Sequence, residues 1–337
     1  MHLLLSLFLI SYAATFLTPY PGAQPTAAGG AFCGIADNAY TNFYNPAGLA
    51  FQKDFDIVYE NTPLFLDIRY WDFAGALPLN KNLSLGFFSS GMYSRWINRD
   101  MWGDSTTITF CEFGPGVAFG YKLHDFLGSG ISIKYIQSSL SMKSPSYNSW
   151  TIGRSFAADI GLFVKYPFSF GKAGFGFAVQ HIGPAMAYTA SSPLSGVKDP
   201  LPITIRAGFS YSISAQEVYK TNQKEWFWKW LKEKWRLVIA YDISKVKEEQ
   251  KFWHSFGLEI RPIPILALRF GYFSAPEPDD YAGRKGWVKG LGIDLKFIRL
   301  DISDDSAFFW SNPNRTRFSF SLNIGEPIFP RKGILGK

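Results

Sequence analysis

Cysteine and histidine are scarce in this chain: two cysteines, Cys33 and Cys111, and four histidines among 337 residues. At no standard spacing do they form a zinc site. In an oxidising compartment the two cysteines could pair; two inert buried thiols fit equally well. Cys33 is not a lipid-attachment cysteine, because Ala31-Phe32 lacks the expected small residue beside it. A nucleophile motif is also missing. His124 falls in a predicted turn, His181 and His254 near strand ends, and none has a Ser or carboxylate at a triad-like spacing. There is no phosphate loop, since the glycines lie on strands at alternate positions. The formal charge of +7 is spread along the chain with one local excess near Lys224 to Arg236. No basic run accompanies a nucleic-acid fold, so no nucleic-acid partner is expected. After the N-terminus no uninterrupted apolar run is long enough for a membrane helix, and mean hydropathy is near neutral at −0.02. No linker-like stretch divides the chain, which reads as one large domain.

What is abundant is alternation. Hydrophobic residues make up 47% of the chain and aromatic ones 18%, and from residue 54 they recur with a period of two. Phe55, Ile57 and Tyr59 alternate with Asp56, Val58 and Glu60. Leu66, Ile68 and Tyr70 alternate with Asp67 and Arg69. Phe156, Ala158, Ile160 and Leu162 alternate with Ala157, Asp159 and Gly161, and Phe318, Phe320 and Leu322 with Arg317, Ser319 and Ser321. Each such segment has one apolar face and one polar or small face. The pattern predicts an all-β fold, an antiparallel transmembrane β-barrel of about fourteen strands over 54–325. High aromatic content suits interfacial girdles. With both termini periplasmic, the even-numbered connections should be short turns. Those near Pro78, His124, Tyr166, Pro262 and Lys296 are short, and the outward ones near Trp96, Ser146, Pro193, Pro278 and Phe309 are longer. The exception, 214–234, reads as a periplasmic helical insertion. Trp226, Trp230 and Leu231 share one face among lysines, as in an interfacial helix or one packed on the barrel rim.

Two segments precede the barrel. Leu3 to Ile10 is apolar and Ser11-Tyr12-Ala13 is a small-x-small site, which predicts a signal peptide over 1–13 with cleavage after Ala13 or Ala14. The n-region departs from the usual pattern in having no Lys or Arg. Residues 14–53 then centre on Ala27 to Phe51, rich in small residues and Asn. This stretch is too glycine-rich for a helix and has no period of two. It reads as a plug in the barrel mouth or as a surface loop. Residues 326–337 form a C-terminal tail.

Sorted by face, the charges predicted inward include Asp67, Arg69, Asp159, Arg206, Asp242, Glu259, Arg269, Asp301 and Arg317. The signs nearly balance. A one-sign ring would suggest an ion-selective pore; balanced charge suggests paired groups and an occluded lumen. Gly114-Pro115-Gly116 falls inside a strand pattern, where proline removes a ladder donor and the glycines permit a bulge or kink.

The run Gly29-Gly30-Ala31-Phe32, then Ala36-Asp37, then Tyr44-Asn45-Pro46-Ala47-Gly48-Leu49 resembles the N-terminal signature of the PorV/PorQ group of FadL-like outer-membrane barrels. Ala158-Asp159-Ile160-Gly161-Leu162 and Val179-Gln180-His181-Ile182-Gly183 are similar to its barrel motifs, with His181 departing from the usual Asn. The resemblance covers essentially the whole mature chain. It implies that Gly29, Gly30, Asn45, Pro46, Ala47 and Gly48 belong to a plug, that fourteen is the strand number, and that Gly114-Pro115-Gly116 is a lateral kink opening toward lipid. It also implies an outer-membrane, non-enzymatic protein without a cofactor. Its partners would be outer-membrane lipid with either secreted cargo and components of the type IX secretion system, or a hydrophobic ligand taken up across the membrane.

Overall fold

The computed structural model describes residues 13–64, 68–99, 105–191, 196–214, 235–275, 284–295, 297–304 and 316–324. The expected leader up to residue 12, Asp67, the expected helix at 215–234 and the tail at 326–337 lie outside the described residues. Among the described residues sixteen strands follow one another: β1 (Phe55–Pro63), β2 (Arg69–Pro78), β3 (Leu83–Arg99), β4 (Ser105–His124), β5 (Leu127–Lys143), β6 (Asn148–Phe168), β7 (Gly171–Ile182), β8 (Met186–Ala190), β9 (Lys198–Asp199), β10 (Thr204–Ser214), β11 (Arg236–Val246), β12 (Trp253–Ile263), β13 (Leu266–Ala275), β14 (Arg284–Asp294), β15 (Ile298–Asp304) and β16 (Thr316–Ile324). All pairings are antiparallel. Fourteen strands close into a barrel, β1 against β16 at the seam; β8 and β9 are a short outward flap on β6.

Closure removes the free edges of the barrel itself, and the period of two then assigns one row to each side. Outside, Phe175, Phe209, Tyr241, Phe256, Tyr272 and Trp287 stand in register on six consecutive barrel strands. Rings stack across neighbouring strands, with Phe175 and Phe209 4.9 Å apart and Tyr272 and Trp287 5.2 Å apart. At the short-turn end His124, Phe126, Tyr166, Phe168 and Tyr211 form a second chain of rings. Large apolar side chains such as Phe156, Phe175 and Ile160 are half or more exposed on this outer face. Turn chemistry ends the strands: Asn80 Oδ1 accepts from the Asn82 and Leu83 amides, both at 2.9 Å, closing the turn between β2 and β3.

The wall is uneven in height. Strands β3 to β6 run 17 to 21 residues, whereas β15 has seven. Their outward ends continue as a tall sheet, on which β8 lies beside Thr151 to Arg154.

On β2 the inward row is the reverse of the expected one. Ile68 and Tyr70 point inward and are 2% and 0% exposed, while Arg69 is exposed and is not part of any lumen network. The outer end of the lumen is itself apolar: Ile68, Tyr70, Met92 and Ile136 cluster with Phe16 of the N-terminal segment. Alternation separates two rows but does not say which one is inside, and here the greasy row finds a greasy interior.

Candidate functional site

Residues 13–53 fill the barrel as short turns: a 3-10 turn at Thr15–Leu17, single helical turns at Ala23–Ala27 and Thr41–Tyr44, and a 3-10 turn at Pro46–Phe51. Asp37 is the one charged residue between 14 and 52. An irregular segment without a ladder must find partners for its buried peptide groups elsewhere, and the barrel wall supplies them. Asp242 Oδ2 accepts from the amides of Phe32 (2.9 Å) and Cys33 (2.7 Å). Asp56 accepts from Ala39 at 2.7 Å, Asp72 from Gly22 at 3.0 Å, and Glu112 from Phe16 at 3.2 Å. Plug carbonyls are served in turn: Tyr20 by Arg317 (2.7 Å), Gly34 by Ser210 (2.6 Å), Phe43 by Gln180 (2.6 Å). The carboxylates are wall groups, and the plug contributes mainly backbone.

The Asn-Pro-Ala-Gly motif has a local cause. Asn45 is extended and its Oδ1 accepts from the Ala47 amide at 3.1 Å, which caps the 3-10 turn. Pro46 occupies the first turn, where its missing N–H costs nothing. Asn45 Nδ2 donates to the wall carbonyl of Leu162 at 3.0 Å, so one side chain ends the turn and ties it to β6. Gly48 lies against Thr41 and Ala36 with no room for a Cβ. Gly29 and Gly30 have φ of +65° and +81°, a region open to glycine at no steric cost. A Cβ on Gly29 would also stand 2.7 Å from the Tyr272 carbonyl oxygen. Inward glycines of the wall complete the fit: Gly130, Gly161, Gly176 and Gly208 leave the space taken by plug backbone or by Asn45.

The inward charges gather into groups. Arg269, 1% exposed, binds Glu259 at 2.7 Å and Asp301 at 2.6 Å; Arg299 binds Asp301 at 2.9 Å and Arg261 binds Glu259 at 2.8 Å. Arg299 reaches on to Gln24 of the plug, whose oxygen also accepts from Asn38. Arg317 pairs with Glu60 at 3.2 Å. Asp159 pairs with Lys134 at 2.9 Å, and accepts from Ser132 at 2.6 Å and from the His181 amide at 2.8 Å. Arg206 lies between the rings of Tyr20 and Tyr44, 5.1 and 5.4 Å from their centres. Of the sequence-predicted set, Arg269, Glu259 and Asp301 come together, Asp242 lies in the field of Arg206, and Asp159 and Arg317 sit in separate groups. Glu60, Asp72 and Glu112 are plug anchors or network members that sequence reading passed over. Glu60 was visible in the β1 row and Asp72 would have followed from the correct row of β2.

Both cysteines are free thiols. Cys33 is fully buried in the plug, and burial, reinforced by nearby Asp242, pushes its thiol well above the usual range. No cluster able to hold a metal ion occurs among the described residues.

The cavity beside Tyr20, Tyr44, Phe88, Lys134 and Arg206 has a volume of about 30 Å³. That is room for roughly one water, whereas small-molecule sites have on the order of 300–1,000 Å³. Above it, Gly114 and Pro115 keep their pairing with β3, but the pairing of β4 with β5 passes from Phe113–Gln137 to Gly116–Lys134 without them. The register is the same on either side, so the interruption spans two residues and inserts none. The Phe16 ring stands directly behind it, 2.9 Å from where a Gly114 Cβ would be.

No family model and no curated protein matches the chain. Solved structures do. The toluene transporter TodX of Pseudomonas putida superposes with a TM-score of 0.54 at 11% identity, covering 90% of this chain and 96% of that one. A TodX variant described as a monoaromatic hydrocarbon channel lacking S2 and S3 gives 0.51 at 10% identity, with 90% and 96% covered. A Pseudomonas aeruginosa FadL homologue gives 0.48 at 11% identity, covering 92% and 99%, too low to add weight. At these identities the likeness is one of fold: a closed fourteen-stranded barrel with an N-terminal segment inside it.

Proposed function

We propose that this chain is exported, cleaved and inserted in an outer membrane, where it passes small hydrophobic compounds from outside toward the bilayer. The observation that carries the reading is the two-residue gap between β4 and β5 with the apolar cluster of Phe16, Ile68, Met92 and Ile136 behind it. Proline has no N–H to close that gap. A compound entering from the tall outer rim would meet greasy side chains and leave sideways into lipid, without crossing the charged inner lumen. The outward rows of aromatic and aliphatic side chains supply the lipid-facing surface such a route requires, and the fold is the one seen in the toluene transporter. The small volume of the cavity means that Phe16 and its neighbours must shift for passage.

The test is uptake of radiolabelled toluene by cells lacking their own hydrocarbon channels. Wild-type chain should raise uptake above the empty vector. Pro115→Val, which restores a backbone donor to the strand, should abolish the gain. Uptake equal to the empty vector with a correctly folded wild type would remove the proposal.

A second reading, a PorV-type carrier that receives exported proteins of a type IX secretion system, is favoured by the N-terminal motif from Gly29 to Leu49. Co-purification with a cargo C-terminal domain from detergent-solubilised membranes would support it, and absence of cargo with toluene uptake would dismiss it.

A further inference from the structure

Glu112 differs from the other buried carboxylates of the wall. It is 4% exposed on β4, and accepts from the Phe16 amide at 3.2 Å, the Thr15 hydroxyl at 3.1 Å and the Ser138 hydroxyl. Glu60, Asp159, Glu259 and Asp301 each pair with an Arg or Lys, and Asp56, Asp72 and Asp242 lie in the field of an arginine. No cation among the described residues attends Glu112. A buried carboxylate without a counter-charge is costly, because the charge is desolvated and nothing offsets it.

Opposite Glu112 is the beginning of the plug. Ala14 is 1% exposed and its backbone is left-handed, with φ of +57°, a strained conformation for a residue bearing a Cβ. The Ala13 amide donates to the Pro200 carbonyl at 2.8 Å. Ser11 and Ala13 hold the −3 and −1 positions of a leader cleavage site.

We propose that a signal peptidase hydrolyses the Ala13–Ala14 peptide bond and that the α-ammonium released on Ala14 is the counter-ion of Glu112. The proposal rests on the export reading above. Water's oxygen goes to Ala13 as a carboxylate, and Ala14 departs with the protonated amine. The strain at Ala14 then vanishes, since a first residue has no φ. The new terminus stands two residues before the Phe16 amide that touches Glu112. It also follows directly on Ala13, whose nitrogen meets the Pro200 carbonyl, and precedes Thr15, whose hydroxyl meets Glu112. An ionic latch of this kind exists only once the leader is gone, so the plug seats fully after processing and not before.

The full chain, expressed with its own leader and purified from outer membranes, tests this in two steps. Intact mass should give Ala14 as the first residue. A chain starting upstream of residue 13 would end the export reading itself, and one starting at Thr15 or later would overturn this proposal alone. The α-amine is then acetylated with an N-hydroxysuccinimide ester and followed on the tryptic peptides ending at Lys53 or, where Lys53 is itself acetylated, at Arg69. Labelling of the native wild type should be at least tenfold slower than in SDS, and Glu112→Gln should recover at least tenfold of that protection. Equal rates in native and denatured wild type, or no change in a folded Glu112→Gln, overturn the pair. If Glu112→Gln gives no heat-modifiable barrel, the native-to-SDS ratio of the wild type decides.

Discussion

Replacing Asp242 by alanine should unseat the plug while leaving the barrel closed. One carboxylate oxygen holds two plug amides, Phe32 and Cys33, at 2.9 and 2.7 Å, and both are buried. Leaving a buried donor unsatisfied costs about 1–3 kcal/mol, so two of them give a central figure of about 4 kcal/mol against the seated state. The barrel ladders involve the Asp242 backbone and not its side chain, so β11 keeps its pairing with β10 and β12. Cys33 reports the outcome directly. It is fully buried, and burial holds its thiol protonated at neutral pH, so labelling by a maleimide requires the plug to lift. At about 1.4 kcal/mol per tenfold, labelling of Cys33 in a Cys111→Ser background should rise on the order of 1,000-fold in the variant, provided lifting is fast relative to labelling. Heat-modifiable migration in SDS confirms that the barrel is intact. Labelling within threefold of the parent in a folded variant would show that the two hydrogen bonds do not hold the plug, and the account of wall carboxylates as plug anchors would be wrong.

Gly130→Leu should also expose Cys33, because its side chain would occupy the place of the Pro46-Ala47 backbone; the same maleimide assay reads it, with the barrel again heat-modifiable. Asn45→Ala removes a turn cap and a bond to Leu162, and should lower stability by about 1–2 kcal/mol, read as faster chymotryptic cleavage within the plug. Arg269→Met leaves Glu259 and Asp301 short of a partner and should cost about 3–5 kcal/mol in urea unfolding from vesicles, with Asp301→Asn recovering part of the loss. Ile160→Arg, on the outward row of β6 that the proposed function sets against lipid, should cost about 2–4 kcal/mol in lipid vesicles and much less in detergent; equal losses in both would place that row away from hydrocarbon.

The barrel was legible because alternation is a local property that closure preserves: fourteen segments with a greasy row became fourteen strands with a greasy outside. The row on β2 was not legible. Tyr70 and Arg69 each fit either side by composition, and only the apolar lining at the outer mouth decides between them. The Asn45-Pro46 turn could be read because a capping side chain followed by proline is a short-range signal. Asp72 goes with the row of β2, and the plug amides that it and Glu112 bind carry no sequence signature. The inward glycines could be recognised as thinning the wall, but what they make room for, the Ala47 and Cys33 backbone, depends on contacts more than 80 residues apart in the chain.

Of the residues that fill the barrel, Asp37 alone bears a charge before Lys53, and the ionised groups of both signs belong to the strands around them. Withdrawing that stopper would therefore carry almost no charge through the opening and would leave a tube studded with cations and anions, which would take up water and salt. Such a tube would conduct small ions with little preference for either sign, so electrical recording across a planar bilayer would detect each unstoppered molecule as a brief, weakly selective current.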